Sequence, residues 1–145
     1  MQFKQSKVNG QMCYDYANRY IEMENGDISL LGFHVKMANK EQWRQIHSVA
    51  ENSKFTFIVG DFNTNDLKNK NDANMEYLKN NYNRMIEKDI ITNNQTIASI
   101  DNIFVSRQSG FDKTKARVDV IDYCFVYNRN KKRYSNHNMC ICELL

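Results

Sequence analysis

The stretch Ile28–Val35 constrains the chain more than any other. It reads Ile-Ser-Leu-Leu-Gly-Phe-His-Val and follows directly on Asn25-Gly26-Asp27. An Asn-Gly pair between apolar stretches is the strongest short hairpin signal, so Arg19–Glu24 and Ile28–Val35 are predicted to pair as strands. The second arm is apolar enough for the interior of a sheet. The period then changes. Asn39 stands at a helix cap with Gln42 at the capping-box spacing, and Trp43, Ile46, Val49 and Ala50 form one apolar stripe at helical period. A short buried strand, Phe55–Val59, is halted by Gly60-Asp61, and Thr64–Lys70 reads as a polar loop. A second helix is predicted over Ala73–Lys88, with Met75, Leu78, Tyr82, Met85 and Ile86 facing inward. Strands are predicted at Ser99–Ser106, Arg117–Tyr127 and Met139–Leu144. This order predicts an α/β (α+β) fold, a mixed sheet with helices packed on a face.

Length and composition support that reading. The 145 residues are room for one domain, spanning 1–145, and neither a repeat nor a Gly/Ser linker divides them. Proline is absent, which excludes polyproline and collagen-like architectures, while 20 asparagines can supply the turns. The net charge of +3 permits a polyanionic substrate without demanding one. The basic tracts Lys113–Arg117 and Arg129–Arg133 read as solvated loops. Of the four cysteines, Cys140 and Cys142 share one face of the last strand, which suits small buried hydrophobes better than a zinc pair. Polar residues near Met1 break any signal-peptide core, and no apolar run approaches the ~18 residues of a membrane span. A cytoplasmic location is the expectation.

Candidate chemistry gathers at a few positions. Gly60-Asp61-Phe62-Asn63 lies at the C-terminal end of a buried strand, where open α/β sheets place their ligands. If the backbone stays extended, Asp61 and Asn63 share a side and present a carboxylate and an amide, a pair suited to orienting water and holding a phosphate oxygen. Ordinary turn chemistry is the alternative reading of Gly-Asp. Asp101 lies inside an apolar strand, where an ionised carboxylate needs a partner. His137, just before the last strand, is an apt one: an Asp–His pair fixes the imidazole tautomer. His34, near the end of an interior strand, is either a core histidine or a ligand-contacting one. His47, in the first helix, is read as structural or exposed.

The order Phe33-His34-Val35, a helix containing Arg44, Ile58-Val59-Gly60-Asp61-Phe62-Asn63, Ile100-Asp101-Asn102-Ile103-Phe104-Val105-Ser106 and Ser135-Asn136-His137 resembles the C-terminal part of the endonuclease/exonuclease/phosphatase superfamily. The resemblance runs from about Ile28 to the C-terminus. It implies a two-sheet α/β sandwich with flanking helices and Mg²⁺- or Mn²⁺-dependent hydrolysis of a phosphoester; DNA, RNA, lipid and inositol phosphates all stay open as substrates, and the mild basicity of the chain tilts the expectation toward nucleic acid. It implies that Asp61 orients or deprotonates the attacking water, Asn63 holds a phosphate oxygen, and His34 contacts the scissile phosphate. His137 then stabilises the transition state or moves a proton, with Asp101 orienting it. Asn136 stands where the family has a metal-binding aspartate, and nothing matches the family's N-terminal Asn and Gln-Glu motif. Asn136 and Asp61 are thus the weak metal ligands left. A non-catalytic remnant that binds a phosphate ligand or a protein is the alternative, as is half of an enzyme whose exposed sheet face is covered by self-association or a partner chain.

Overall fold

The hairpin forms with its turn displaced by one residue. In the computed structural model, which describes residues 2–4, 7–8, 11–12, 20–36, 40–52, 54–64, 72–87, 89–121 and 137–145, strand β4 (Tyr20–Asn25) pairs antiparallel with β5 (Ile28–His34). Three short strands precede them: β1 (Gln2–Lys4), β2 (Lys7–Val8) and β3 (Gln11–Met12). Gly26 and Asp27 form the turn, and Gly26 carries the positive φ of +58°. Glycine at the first central position is the Gly-X form of the two-residue hairpin, rather than the Asn-Gly form expected.

Helix α1 (Lys40–Glu51) carries the chain from β5 to the parallel strand β6 (Phe57–Asp61). Asn39 lies outside the described residues. The expected capping box with Gln42 therefore lies outside them too; the Gln42 Oε1 accepts from the Lys36 N–H at 2.6 Å and ties the preceding segment to the helix. Strand β6 runs through Gly60 to Asp61 instead of halting before them, because both neighbours keep it paired: His34 lies opposite Asp61 on one side and Asp101 on the other.

The second helix is shorter than its sequence suggests. Helix α2 (Ala73–Asn81) is capped by Asp72, whose side chain accepts from the N–H groups of Asn74 and Met75. It ends where Tyr82–Arg84 become strand β7. Met75 and Leu78 face the core as expected, but Tyr82, Met85 and Ile86 are not helical. Tyr82 is wholly buried with its hydroxyl donating to the Phe55 carbonyl, and β7 pairs with β8 (Asp101–Ser106). The sheet hydrogen bonds and that buried anchor outweigh the helical pattern. The chain closes with β9 (Ala116–Ile121) and β10 (Met139–Leu144), an antiparallel ribbon. The expected continuation of β9 to Tyr127 lies outside the described residues.

The main sheet has six strands in the order β1-β4-β5-β6-β8-β7. Both helices pack on one face, against Leu31, Phe33, Ile58, Phe62 and Phe104. On the other face, Phe57, Ile103 and Val105 meet Val118, Val120, Cys140 and Cys142 of the ribbon. The result is three layers in an α/β fold, as the sequence predicts. Among the described residues the second sheet of the sandwich is the β9–β10 ribbon, whose outer side exposes Ile121, Met139 and Ile141. No helix among the described residues is long and apolar enough to cross a membrane.

Gly60 fixes how β5 and β6 approach. Its φ is +148°, and a Cβ there would stand 1.8 Å from the Phe33 carbonyl oxygen. Gly26 has positive φ but open space around it. Gly26→Ala is therefore expected to cost about 1 kcal/mol, whereas Gly60→Ala costs more than about 3 kcal/mol or abolishes folding. Urea denaturation of both variants separates the two cases; equal midpoints would show that the close approach does not govern stability.

Candidate functional site

Strand alternation and register build the site. Positions 57, 59 and 61 of β6 face the ribbon, as do 101, 103 and 105 of β8. Asp61 and Asp101 are directly opposed partners in this antiparallel pair, so their carboxylates lie on one face at one sheet edge. Like charges directly opposed across strands are destabilising. Burial is the largest influence on Asp61 and raises its pKa; Asp101 adds to the rise, while the Asn63 N–H, His137 and His34 oppose it.

His137 arrives from the start of the last segment. Its Nδ1 lies 2.9 and 3.1 Å from the two oxygens of Asp101, the pairing the sequence suggests. Its Nε2 lies 3.1 Å from Asn93 Nδ2. The Asn93 Oδ1 accepts from the N–H groups of Gln95 and Thr96, which fixes the amide so that its NH₂ faces the imidazole. Nε2 is then an acceptor, and the imidazole proton sits on Nδ1 and is donated to Asp101. The Asn138 N–H donates to the Thr92 carbonyl, and the Thr92 hydroxyl accepts from the N–H groups of Ile100 and Asp101. This clasp holds the His137 segment against the start of β8. Thr92 and Asn93 are buried polar residues that the sequence reading did not single out. The Thr92-Asn93-Asn94 cluster was the available signal, since asparagine hydrogen-bonds its own backbone two residues on.

The remaining candidates divide. Asn63 does not extend the strand. Its φ is +49°, its N–H donates to Asp61 Oδ1 at 2.8 Å, and its Nδ2 donates to the Val35 carbonyl at 2.6 Å. Asp61 and Asn63 thus form an Asx-turn, and the expected shared side fails because the chain turns out of the strand between them. These bonds leave Oδ1 and the second N–H of the Asn63 amide available. His34 is 54% exposed, with Nε2 at 3.6 Å from Asp61 Oδ2; it belongs to the rim of the site, not the core. His47 is half-buried between Trp43 and Tyr77, and burial lowers its pKa. Asn136 lies outside the described residues.

One carboxylate oxygen each from Asp61 and Asp101 and one ring nitrogen of His137 lie within 4.8 Å of one another. Two partly buried carboxylates on one face make an oxygen-rich donor set that fits a hard divalent cation such as Mg²⁺ or Mn²⁺. The cleft above them is walled by Cys140 and Cys142. Burial, with Asp101 nearby, pushes the Cys140 thiol up to about 11, so it stays protonated at neutral pH. A separate groove of about 210 Å³ beside β10 is lined by Met23, Ile28, Leu30 and Phe57 and is too apolar for phosphate chemistry.

No family model matches the sequence, and neither does any curated protein. Among solved structures the fold is similar to the endonuclease domain of TRAS1, a telomere-specific non-LTR retrotransposon. The TM-score is 0.62 at 16% identity, over 88% of this chain and 64% of that one. The fold is therefore nuclease-like, and the chain spans less than two thirds of that domain.

A carboxyl with a raised folded-state pKa stabilises the fold fully only below its unfolded value, and that contribution is lost as pH rises through the folded value. Asp61→Asn is accordingly expected to raise Tm at pH 7, with the gain shrinking toward acid pH. Millimolar Mg²⁺ or Mn²⁺ is expected to raise the Tm of the wild type by several degrees, roughly 4 °C per kcal/mol of binding linkage, and to leave Asp61→Asn unmoved. Scanning calorimetry across pH and metal concentration checks both; equal metal shifts in the two proteins would remove Asp61 from the cation site.

Proposed function

We propose that this chain is a divalent-metal-dependent phosphodiesterase that cleaves nucleic acid by in-line attack of water. The observation that carries the reading is the opposed pair Asp61 and Asp101 with His137 bound to Asp101, at one sheet edge of a nuclease-like fold. Asp61 and Asp101 would hold the cation. A bound Mg²⁺ or Mn²⁺ supplies charge neutralisation at the phosphoryl oxygens and a more acidic water. Asp61, positioned by the Asn63 N–H, orients that water. Asp101 keeps the His137 proton on Nδ1, which leaves the Nε2 lone pair, where the Asn93 amide donates, to take or return a proton when that amide yields during attack and departure. His34, on the rim beside Asp61, can meet a phosphate oxygen.

A second reading has its own observation. The Nε2 of His137 is occupied by Asn93, and one N–H of the Asn63 amide is held by the Val35 carbonyl. A chain held this way would bind a phosphate ligand without turnover. The two readings separate with plasmid DNA and a chromogenic phosphodiester. Hydrolysis is expected to require Mg²⁺ or Mn²⁺, to stop with EDTA, and to fall at least ~100-fold in His137→Ala. Phosphate-ligand binding that tolerates EDTA, with no cleavage under any metal, would establish the binding module instead.

A further inference from the structure

On the helix side of the same sheet edge lies a second cleft, of about 470 Å³. One wall is the α1 face that carries Lys40, Arg44 and His47; the others are the turn at Asn63-Thr64 and the start of α2. Lys40 and Arg44 are one helical turn apart, so both cations face the same space. Arg44 is held by Glu41 at 2.7 Å, but that pair is solvent-exposed and of low cost to exchange. His47 is half-buried at the back of the cleft, its Nε2 makes no well-formed hydrogen bond among the described residues, and the Asn74 backbone and the Asp72 charge partly offset the effect of burial on its protonated form. Asp72 stands at the far wall with Oδ1 accepting from the N–H groups of Asn74 and Met75, and its charge acts on His47, so the cations that remain for an anion are those of Lys40 and Arg44.

This cleft is not isolated from the carboxylate pair. Asn63 lines it, and the Asn63 N–H is bonded to Asp61. Asp61 faces the ribbon side of the sheet, while Phe62 turns into the helix side. The two clefts therefore open on opposite sides of one edge and meet at Asp61–Asn63. A small phosphodiester reaches one of them; a chain of linked phosphates laid across the edge reaches both.

We infer that the Lys40–Arg44–His47 cleft is a second anion subsite, which holds a backbone phosphate of a polynucleotide whose neighbouring phosphate lies at Asp61. The inference rests on the proposed hydrolase reading for the identity of the first phosphate, and it goes beyond that reading by placing the flanking strand on the helix side of the sheet.

The test is fluorescence anisotropy of a short fluorescein-labelled oligodeoxythymidylate, titrated with protein in EDTA over a range of salt concentrations. Each phosphate contact on a single strand contributes a slope of about 0.7 in log K against log salt. Lys40→Gln combined with Arg44→Gln is expected to weaken binding about 10-fold and to reduce the slope by about 1. Lys113→Gln combined with Lys115→Gln removes the same charge from an exposed 3₁₀ turn remote in sequence and is expected to leave slope and affinity near wild type. Equal losses in both pairs, no loss in the cleft pair, or no binding by the wild type would overturn the subsite. Metal-dependent cleavage by the wild type with an unchanged slope in the cleft variant sinks the subsite alone. A reduced slope with no cleavage under any metal sinks the hydrolase reading and leaves the subsite standing.

Discussion

The burial of Phe62 organises both the fold and the site. Its ring is fully enclosed, edge-on to Phe33 at 4.8 Å and to Phe104 at 5.2 Å, with Trp43 at 6.0 Å. Those partners come from β5, β8 and α1, so one side chain ties the two central neighbours of β6 to the helix layer. Burying a side chain of this kind is worth roughly 1.5–3 kcal/mol in transfer alone. Because Phe62 points into the helices, its neighbours cannot. Asp61 is directed to the opposite face and Asn63 is forced into the left-handed turn. Gly60 makes the arrangement possible by letting the backbone of β6 approach the Phe33 carbonyl more closely than any side chain permits. Hydrophobic packing thus aims the polar groups.

The site opposes the fold that carries it. Two carboxylates set in register across β6 and β8 would not arise from selection for stability, since burial and the neighbouring Asp101 charge both disfavour the ionised form of Asp61. Around them the chain has built compensation: an N–H to Asp61 from Asn63, an imidazole on Asp101, and a clasp of Thr92, Asn93 and Asn138 that fixes where the imidazole stands. A cation held between the carboxylates, as proposed, would relieve the remaining repulsion. Such concentrated local cost is typical of groups placed for chemistry.

The sequence was legible where the signal was periodic or local. The α1 stripe, the interior strand Ile28–His34 and the last strand follow from apolar spacing alone, and Asp101 with His137 follows from the cost of a carboxylate in an apolar strand. It was less legible where tertiary contacts override a local pattern. Tyr82, Met85 and Ile86 continue a helical spacing from Met75 and Leu78, yet the buried hydroxyl of Tyr82 and the open edge of β8 draw them into the sheet. Asn63 looked like the second member of an extended pair because nothing local reveals that Phe62 must turn inward. Asn93 was not singled out because it stands 44 residues from His137, and only the folded chain shows that its amide meets the imidazole.

Cys140 and Cys142 carry a consequence beyond packing. On one face of a single strand their side chains stand about 6.8 Å apart, further than the ~4.5 Å between Cβ atoms that a disulfide spans. The two cannot cross-link to each other without breaking β10 from β9. With the Cys140 thiol held neutral, its reaction with oxidants and alkylating agents is slow as well. An oxidising surrounding therefore does not close this wall of the cleft with a bridge between its own two thiols.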